Sequence, residues 1–144
     1  MNCSVAVNHV SQFKVRAFFN TSGGRVYSPW SNVSYITPSP TTLKSANAGT
    51  NSAPKVNISW NIIYGCNGYN VFLTTNPNGT WYWNQSTSIK ASATSAAITK
   101  YRGAKLKKGT RYYVRIVTRR QRNGVFCTVP LPAKNTNIGS FVVK

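Results

Sequence analysis

One β-hairpin pattern occurs twice in this chain. Residues 11–29 align with residues 110–128 without a gap after a shift of 99 positions. Phe13 falls on Tyr112, Val15 on Val114, Arg16 on Arg115, Val26 on Val125 and Tyr27 on Phe126. Both copies alternate. Phe13, Val15, Ala17 and Phe19 stand to one side and Lys14, Arg16 and Phe18 to the other; Tyr112, Val114, Ile116 and Thr118 oppose Arg111, Tyr113, Arg115 and Val117. Successive side chains of an extended backbone point to opposite faces, so each stretch reads as a strand with one face on a core. A turn signal follows each, Gly23-Gly24 and Asn123-Gly124, because tight primed turns need positive φ. Return strands are expected over residues 25–30 and 126–129. No stretch of 11 or more residues carries a helical stripe, so the class is all-β. A repeat near 100 residues is too long for a solenoid unit and suits sandwich domains in tandem.

Between the copies lies Thr37-Pro38-Ser39-Pro40-Thr41-Thr42, a stiff, extended segment. The expected organisation is therefore the C-terminal part of one domain in residues 1–37, a Pro-rich linker in 38–42, and a nearly complete domain with a C-terminal extension in 43–144. Within that second unit, strands are expected at 43–48, 55–60, 69–75, 81–86 and 96–99, with turns at residues 65–68 and at Asn76-Pro77-Asn78-Gly79 between them. Short strands at this spacing point to a Greek-key sandwich.

Leu106-Lys107-Lys108-Gly109-Thr110-Arg111-Tyr112-Tyr113-Val114-Arg115 resembles the fibronectin type III signature: Leu, then Gly-Thr, then Tyr, then alternating Val. Trp60, closing Val56-Asn57-Ile58-Ser59-Trp60, is similar to that family's buried second-strand tryptophan. Gly68-Tyr69-Asn70-Val71-Phe72 resembles the start of its third strand, and Val26-Tyr27-Ser28-Pro29-Trp30-Ser31 the last strand of tandem copies in bacterial surface proteins. The match covers about residues 43–135 once and residues 5–37 as a partial copy. It implies an immunoglobulin-like Greek-key β-sandwich with Trp60, Leu106, Tyr112 and Val114 in the core, and a corner in which the Tyr112 hydroxyl ties to nearby backbone. Residues 101–105 look like an insertion, and 135–144 outrun the expected last strand. The resemblance also implies an extracellular or cell-surface setting and a structural or interaction role: spacer, adhesin segment or filament subunit. The expected partners are neighbouring domains or subunits of the same chain type, with a cell-surface polymer second and nucleic acid behind it. A half-sandwich exposes apolar faces and a sheet edge, so a longer parent chain or a strand-supplying partner is expected for the first copy.

Charge is the second constraint. The chain has 18 Lys plus Arg, no Asp or Glu and a formal charge of +18, where roughly 17 acids would be usual at this length. Three explanations stand: a chain selected to meet polyanions, adaptation to an acidic or unusual milieu, or acids recorded as neutral residues, Asp as Asn above all, which the 16 Asn would fit. Without carboxylates there is no Asp-assisted triad, glycosidase pair or calcium cage, and His9 is the single histidine. No enzyme activity, metal or cofactor is expected, and no apolar run approaches a membrane span. Residues 1–10 lack the basic start and apolar block of a secretory signal.

Ten of the 18 cations lie between Lys100 and Arg122. Arg111 and Arg115 flank Tyr113 on one outward strand face, with Arg119, Arg120 and Arg122 beyond, an arrangement that could grip phosphate or sulfated sugar. The plainer reading is a solvated outer sheet face. Cys66 and Cys127 fall in loops at one end of such a sandwich, so a disulfide is geometrically allowed, with two buried free thiols as the plainer state. Trp81, Tyr82 and Trp83 invite a carbohydrate platform, but alternation puts Trp81 and Trp83 on one face and Tyr82 on the other, so at most part of the trio is exposed. Six Asn-x-Ser/Thr sequons, at Asn2, Asn20, Asn32, Asn57, Asn78 and Asn84, matter only in a eukaryotic secretory protein.

Overall fold

The computed structural model describes residues 8–37, 43–47, 49–84, 89–119, 121–122, 125–126 and 138–144, without the side chains of 121–122 and 125–126. Every regular element among them is a strand. The first four build one long antiparallel ribbon. β1 (Ser11–Phe13) pairs with β4 (Ser34–Ile36), and β2 (Phe18–Thr21) pairs with β3 (Gly24–Tyr27). Between these ladders the ribbon continues through Ala17 and Ser28 and through Val15 and Ser31. The Ser28 and Ser31 hydroxyls each accept an opposing backbone N–H at 3.0 Å. The turn falls at Ser22-Gly23, one residue before the expected Gly23-Gly24, because Thr21 locks it there. The Thr21 hydroxyl accepts from the Gly23 N–H and donates to the Gly24 carbonyl.

The remaining strands are β5 (Leu43–Asn47), β6 (Val56–Trp60), β7 (Gly68–Thr74), β8 (Tyr82–Trp83), β9 (Ile89–Lys90), β10 (Ser95–Ile98), β11 (Lys100–Tyr101), β12 (Ala104–Lys105), β13 (Arg111–Arg119), β14 (Gln121–Arg122), β15 (Val125–Phe126) and β16 (Ile138–Val142). Two sheets face each other. One is ordered β10-β6-β5, the other β16-β13-β7-β8 with β9 also on β7, and all pairings are antiparallel. The chain changes sheet after β6, returns with β10 and crosses again to β13. This is the immunoglobulin-like, fibronectin type III kind of sandwich that the resemblance implies.

Alternation supplies its core. Val56, Ile58 and Trp60 of β6 point inward between exposed Asn57 and Ser59. They meet Tyr69, Val71 and Leu73 of β7 and Tyr112, Val114 and Ile116 of β13, all buried in one cluster with Ile98, Leu106 and Phe141. Each such side chain contributes roughly 1.5–3 kcal/mol when fully buried. Trp60 meets the Tyr69 ring edge-on at 5.2 Å, and the Tyr69 hydroxyl accepts the Ile63 N–H at 2.7 Å.

The Gly-Thr-Arg-Tyr stretch works through a turn. The Thr110 N–H donates to the Lys107 carbonyl, with Gly109 at the third position and φ of 76°. A side chain there would strain the backbone, so glycine is required. The Tyr112 hydroxyl then accepts the Lys107 N–H at 3.1 Å, closing the corner.

The last strand differs from expectation. Asn123-Gly124 lies outside the described residues, but β14 and β15 flank it as a two-pair ladder. The strand that closes the sheet is β16, inside the stretch read as an overrun; it pairs with β13 from Arg111 to Arg115. Gly139 lies close under the Leu43 side chain of β5, which a Cβ at this position would have to push aside. Residues 101–105, read as an insertion, form the β11–β12 hairpin, turned at Arg102 and Gly103 with φ of 52° and 83°. The linker at 38–42 lies outside the described residues.

Candidate interaction surfaces

Three surfaces carry the chemistry: the outer face of β13, the β11–β12 edge, and the ribbon. On β13, Arg111 is exposed, Tyr113 and Arg119 are half-buried, and Arg115 is only 4% exposed. The expectation of an open Arg-Tyr-Arg face is corrected here. Alternation places Arg115 on the outer side of its sheet, but Trp81, just before β8, covers it. The Arg115 guanidinium carbon sits 4.4 Å from the Trp81 ring centroid, and its Nε has no hydrogen-bond partner. Burial pushes the pKa of Arg115 down. The chain has no carboxylate to pair with it, so stacking on the indole stands in for an ion pair. Arg119 packs across Gly68, with its Nε likewise buried and unpartnered. Arg111 reaches the Ser140 hydroxyl at 3.4 Å. Arg120 and the Arg122 side chain lie outside the described residues.

The open cations are elsewhere. Lys100, Arg102, Lys105, Lys107 and Lys108 are all exposed along the β11–β12 hairpin and the turn that follows. Arg102 lies 4.5 Å from the Tyr82 ring centroid, and Lys108 donates to the Asn51 side chain at 3.0 Å. Sequence reasoning counted these cations but gave the contact role to β13. The Arg102-Gly103 turn, which presents them, was the available signal.

Trp81 is taken up by Arg115 and by its own indole N–H on the Pro77 carbonyl, while Trp83 is exposed. Tyr82 faces Tyr101, which in turn meets Tyr112. Cys66 is a buried free thiol, and Cys127 lies outside the described residues. His9 stacks on Tyr64 at 4.8 Å; no group of metal-binding side chains occurs among the described residues. No helix among them is long and apolar enough to cross a membrane. Of the sequons, Asn57 points outward from β6, whereas Asn84 is buried with its amide donating to the Lys100 carbonyl.

The ribbon is the least satisfied surface. Phe13, Val15, Phe18, Phe19, Val26, Tyr27, Trp30 and Ile36 are all exposed. One face carries a ladder of stacked cations: Arg16 over Tyr27 at 3.8 Å and over Trp30 at 4.3 Å, and Arg25 over Phe18 at 4.6 Å. The ribbon joins the sandwich at its base, where the Val10 N–H donates to the Tyr64 carbonyl and the Tyr64 N–H donates to the Asn8 carbonyl.

No family model matches the chain, and no curated protein matches it. Among solved structures it is similar to an Fn3-like protein from Clostridium thermocellum, at 27% identity and a TM-score of 0.41, over 62% of this chain and 80% of that one.

Proposed function

We propose that this chain is a non-catalytic structural and interaction module that acts outside the cell or at its surface as a spacer, adhesin segment or filament subunit. One observation carries the reading: the leading strand of the repeated hairpin is buried in a closed sandwich in one copy, while its counterpart in the other copy is exposed. An exposed two-stranded ribbon is marginal in water by itself, and open apolar faces of this kind mark contact surfaces. The neighbours it would meet are domains or subunits of the same chain type. The chemistry of general acid–base catalysis has little to work with in a chain without carboxylates. Deleting residues 1–37 tests the reading: the sandwich is expected to keep its cooperative melt while light scattering loses any assembly formed by the full chain. Unchanged assembly would sink it.

A second reading has its own observation, the open row of Lys100, Arg102, Lys105, Lys107 and Lys108. It makes the module a binder of polyanions such as teichoic acid, a sulfated glycan or nucleic acid. Affinity that falls steeply from low to moderate salt would favour it, since displaced counterions drive such binding.

A further inference from the structure

Resting on the reading of the chain as an assembling module, we infer that the apolar face of the ribbon is an interface for the same face of a second copy. The internal repeat identifies that face as core surface. Phe13, Val15, Ala17 and Phe19 are the counterparts of Tyr112, Val114, Ile116 and Thr118, which are all buried in the sandwich. Val15 is 63% exposed where Val114 is 0%. Among the described residues of one copy nothing closes the face. Among the described residues the ribbon touches the sandwich at its base, and the inner surfaces of β5, β6 and β10 are already covered by β7, β13 and β16.

Charge selects the partner. Alternation and the observed ring contacts place Lys14, Arg16 and Arg25 on the opposite face, with Phe18, Tyr27 and Trp30. The face bearing Phe13, Val15, Phe19 and Val26 carries no charge. A second copy brings 18 Lys plus Arg and no Asp or Glu. Its own uncharged ribbon face is therefore the surface that can approach without bringing like charges together. A two-fold contact satisfies this: each ribbon buries its apolar side on the other, and both cation ladders point outward. A two-stranded ribbon offers a contact well below the usual ~800 Å² per partner, so a weak, reversible dimer is expected. Because the two chains repel at long range, association should strengthen with salt, opposite to polyanion binding.

The test is sedimentation velocity on the full chain over a wide concentration range, at low and moderate salt. Expected is a monomer–dimer equilibrium that shifts toward dimer as salt rises. Val15→Lys should weaken it at least about tenfold, by placing two cations at the two-fold contact, while the sandwich's thermal melt stays unchanged. Arg16→Ser, on the opposite face, should leave the dimer intact. A full chain that stays monomeric at every concentration and salt overturns both this inference and the assembly reading it rests on. Assembly that ignores Val15→Lys, or that is lost with Arg16→Ser, overturns the inference alone.

Discussion

The two copies of the hairpin share an alternation rather than a sequence, with three identities over 19 aligned residues, and they sit in very different surroundings. Phe13 and Tyr112 occupy the same place in the repeat, yet one is 45% exposed and the other 2%. β13 has β7 on one edge, β16 on the other and the β5-β6-β10 sheet beneath its inner face. Among the described residues each ribbon strand has one partner strand and no second layer over it. The same alternation therefore yields a core in one copy and an exposed apolar surface in the other. Arg16 and Arg115 show the same contrast. Both stack on aromatic rings, but Trp81 and its surroundings bury Arg115, whereas Arg16 remains at the surface.

The sharpest way to break this comparison is to truncate both members of one pair. Tyr112→Ala is expected to cost the sandwich about 3–5 kcal/mol, as large aromatic deletions from a core do. Phe13→Ala should change the same denaturation midpoint by no more than about 0.5 kcal/mol, the usual range for exposed sites. Comparable losses would mean that the ribbon is closed against the sandwich in solution. Next in size, Gly109→Ala should destabilise by about 1–2 kcal/mol, because a Cβ is forced into the left-handed region at the corner turn. Tyr112→Phe keeps the ring and loses only the bond from the Lys107 N–H, for about 1 kcal/mol. Urea melts of these variants would rank them.

Alkaline titration adds a probe of the closed copy. Burial pushes the Tyr69 hydroxyl pKa above its ordinary value. The folded state therefore holds that proton more tightly than the unfolded chain. Stability from this group is complete below the ordinary tyrosine range and declines as pH rises through it toward the higher folded value. Unfolding free energies measured across that range should fall, and Tyr69→Phe should flatten the decline. Smallest of all, Arg115→Met should leave stability unchanged or raise it slightly, since it removes a buried, unpaired cation while keeping apolar contact with Trp81. A large loss would show that the guanidinium has a partner.

Much of the sandwich was legible because its signals are local. Glycine at the third position of the Lys107–Thr110 turn, the tyrosine three residues on, and the strict alternation of residues 56–60 each have one physical meaning. The strand ends expected at 55–60, 69–75 and 96–99 lie within a residue of β6, β7 and β10. What failed depended on distant chain. Asn123-Gly124 drew the final strand to residues 126–129, but β13 is nine residues long and its first half pairs instead with β16. Gly139 breaks the apolar pattern of β16 for a reason visible only in three dimensions, the approach of Leu43. The same limit applies to Arg115: alternation fixes the side of the sheet to which it points, not that Trp81 arrives over it from another loop. At the ribbon, the sequence pattern shows a core-type face and says nothing of whether a core is there.

Hydrogen exchange on the dilute full chain tests the central claim most directly. Amides of Tyr113, Val114 and Arg115 in β13, flanked by β7 on one edge and β16 on the other, should exchange at least about 100-fold more slowly than those of the ribbon over residues 11–20, which rest on a single ladder. Equal protection of the two copies under dilute conditions would contradict the account, because the first hairpin would then be closed within its own chain.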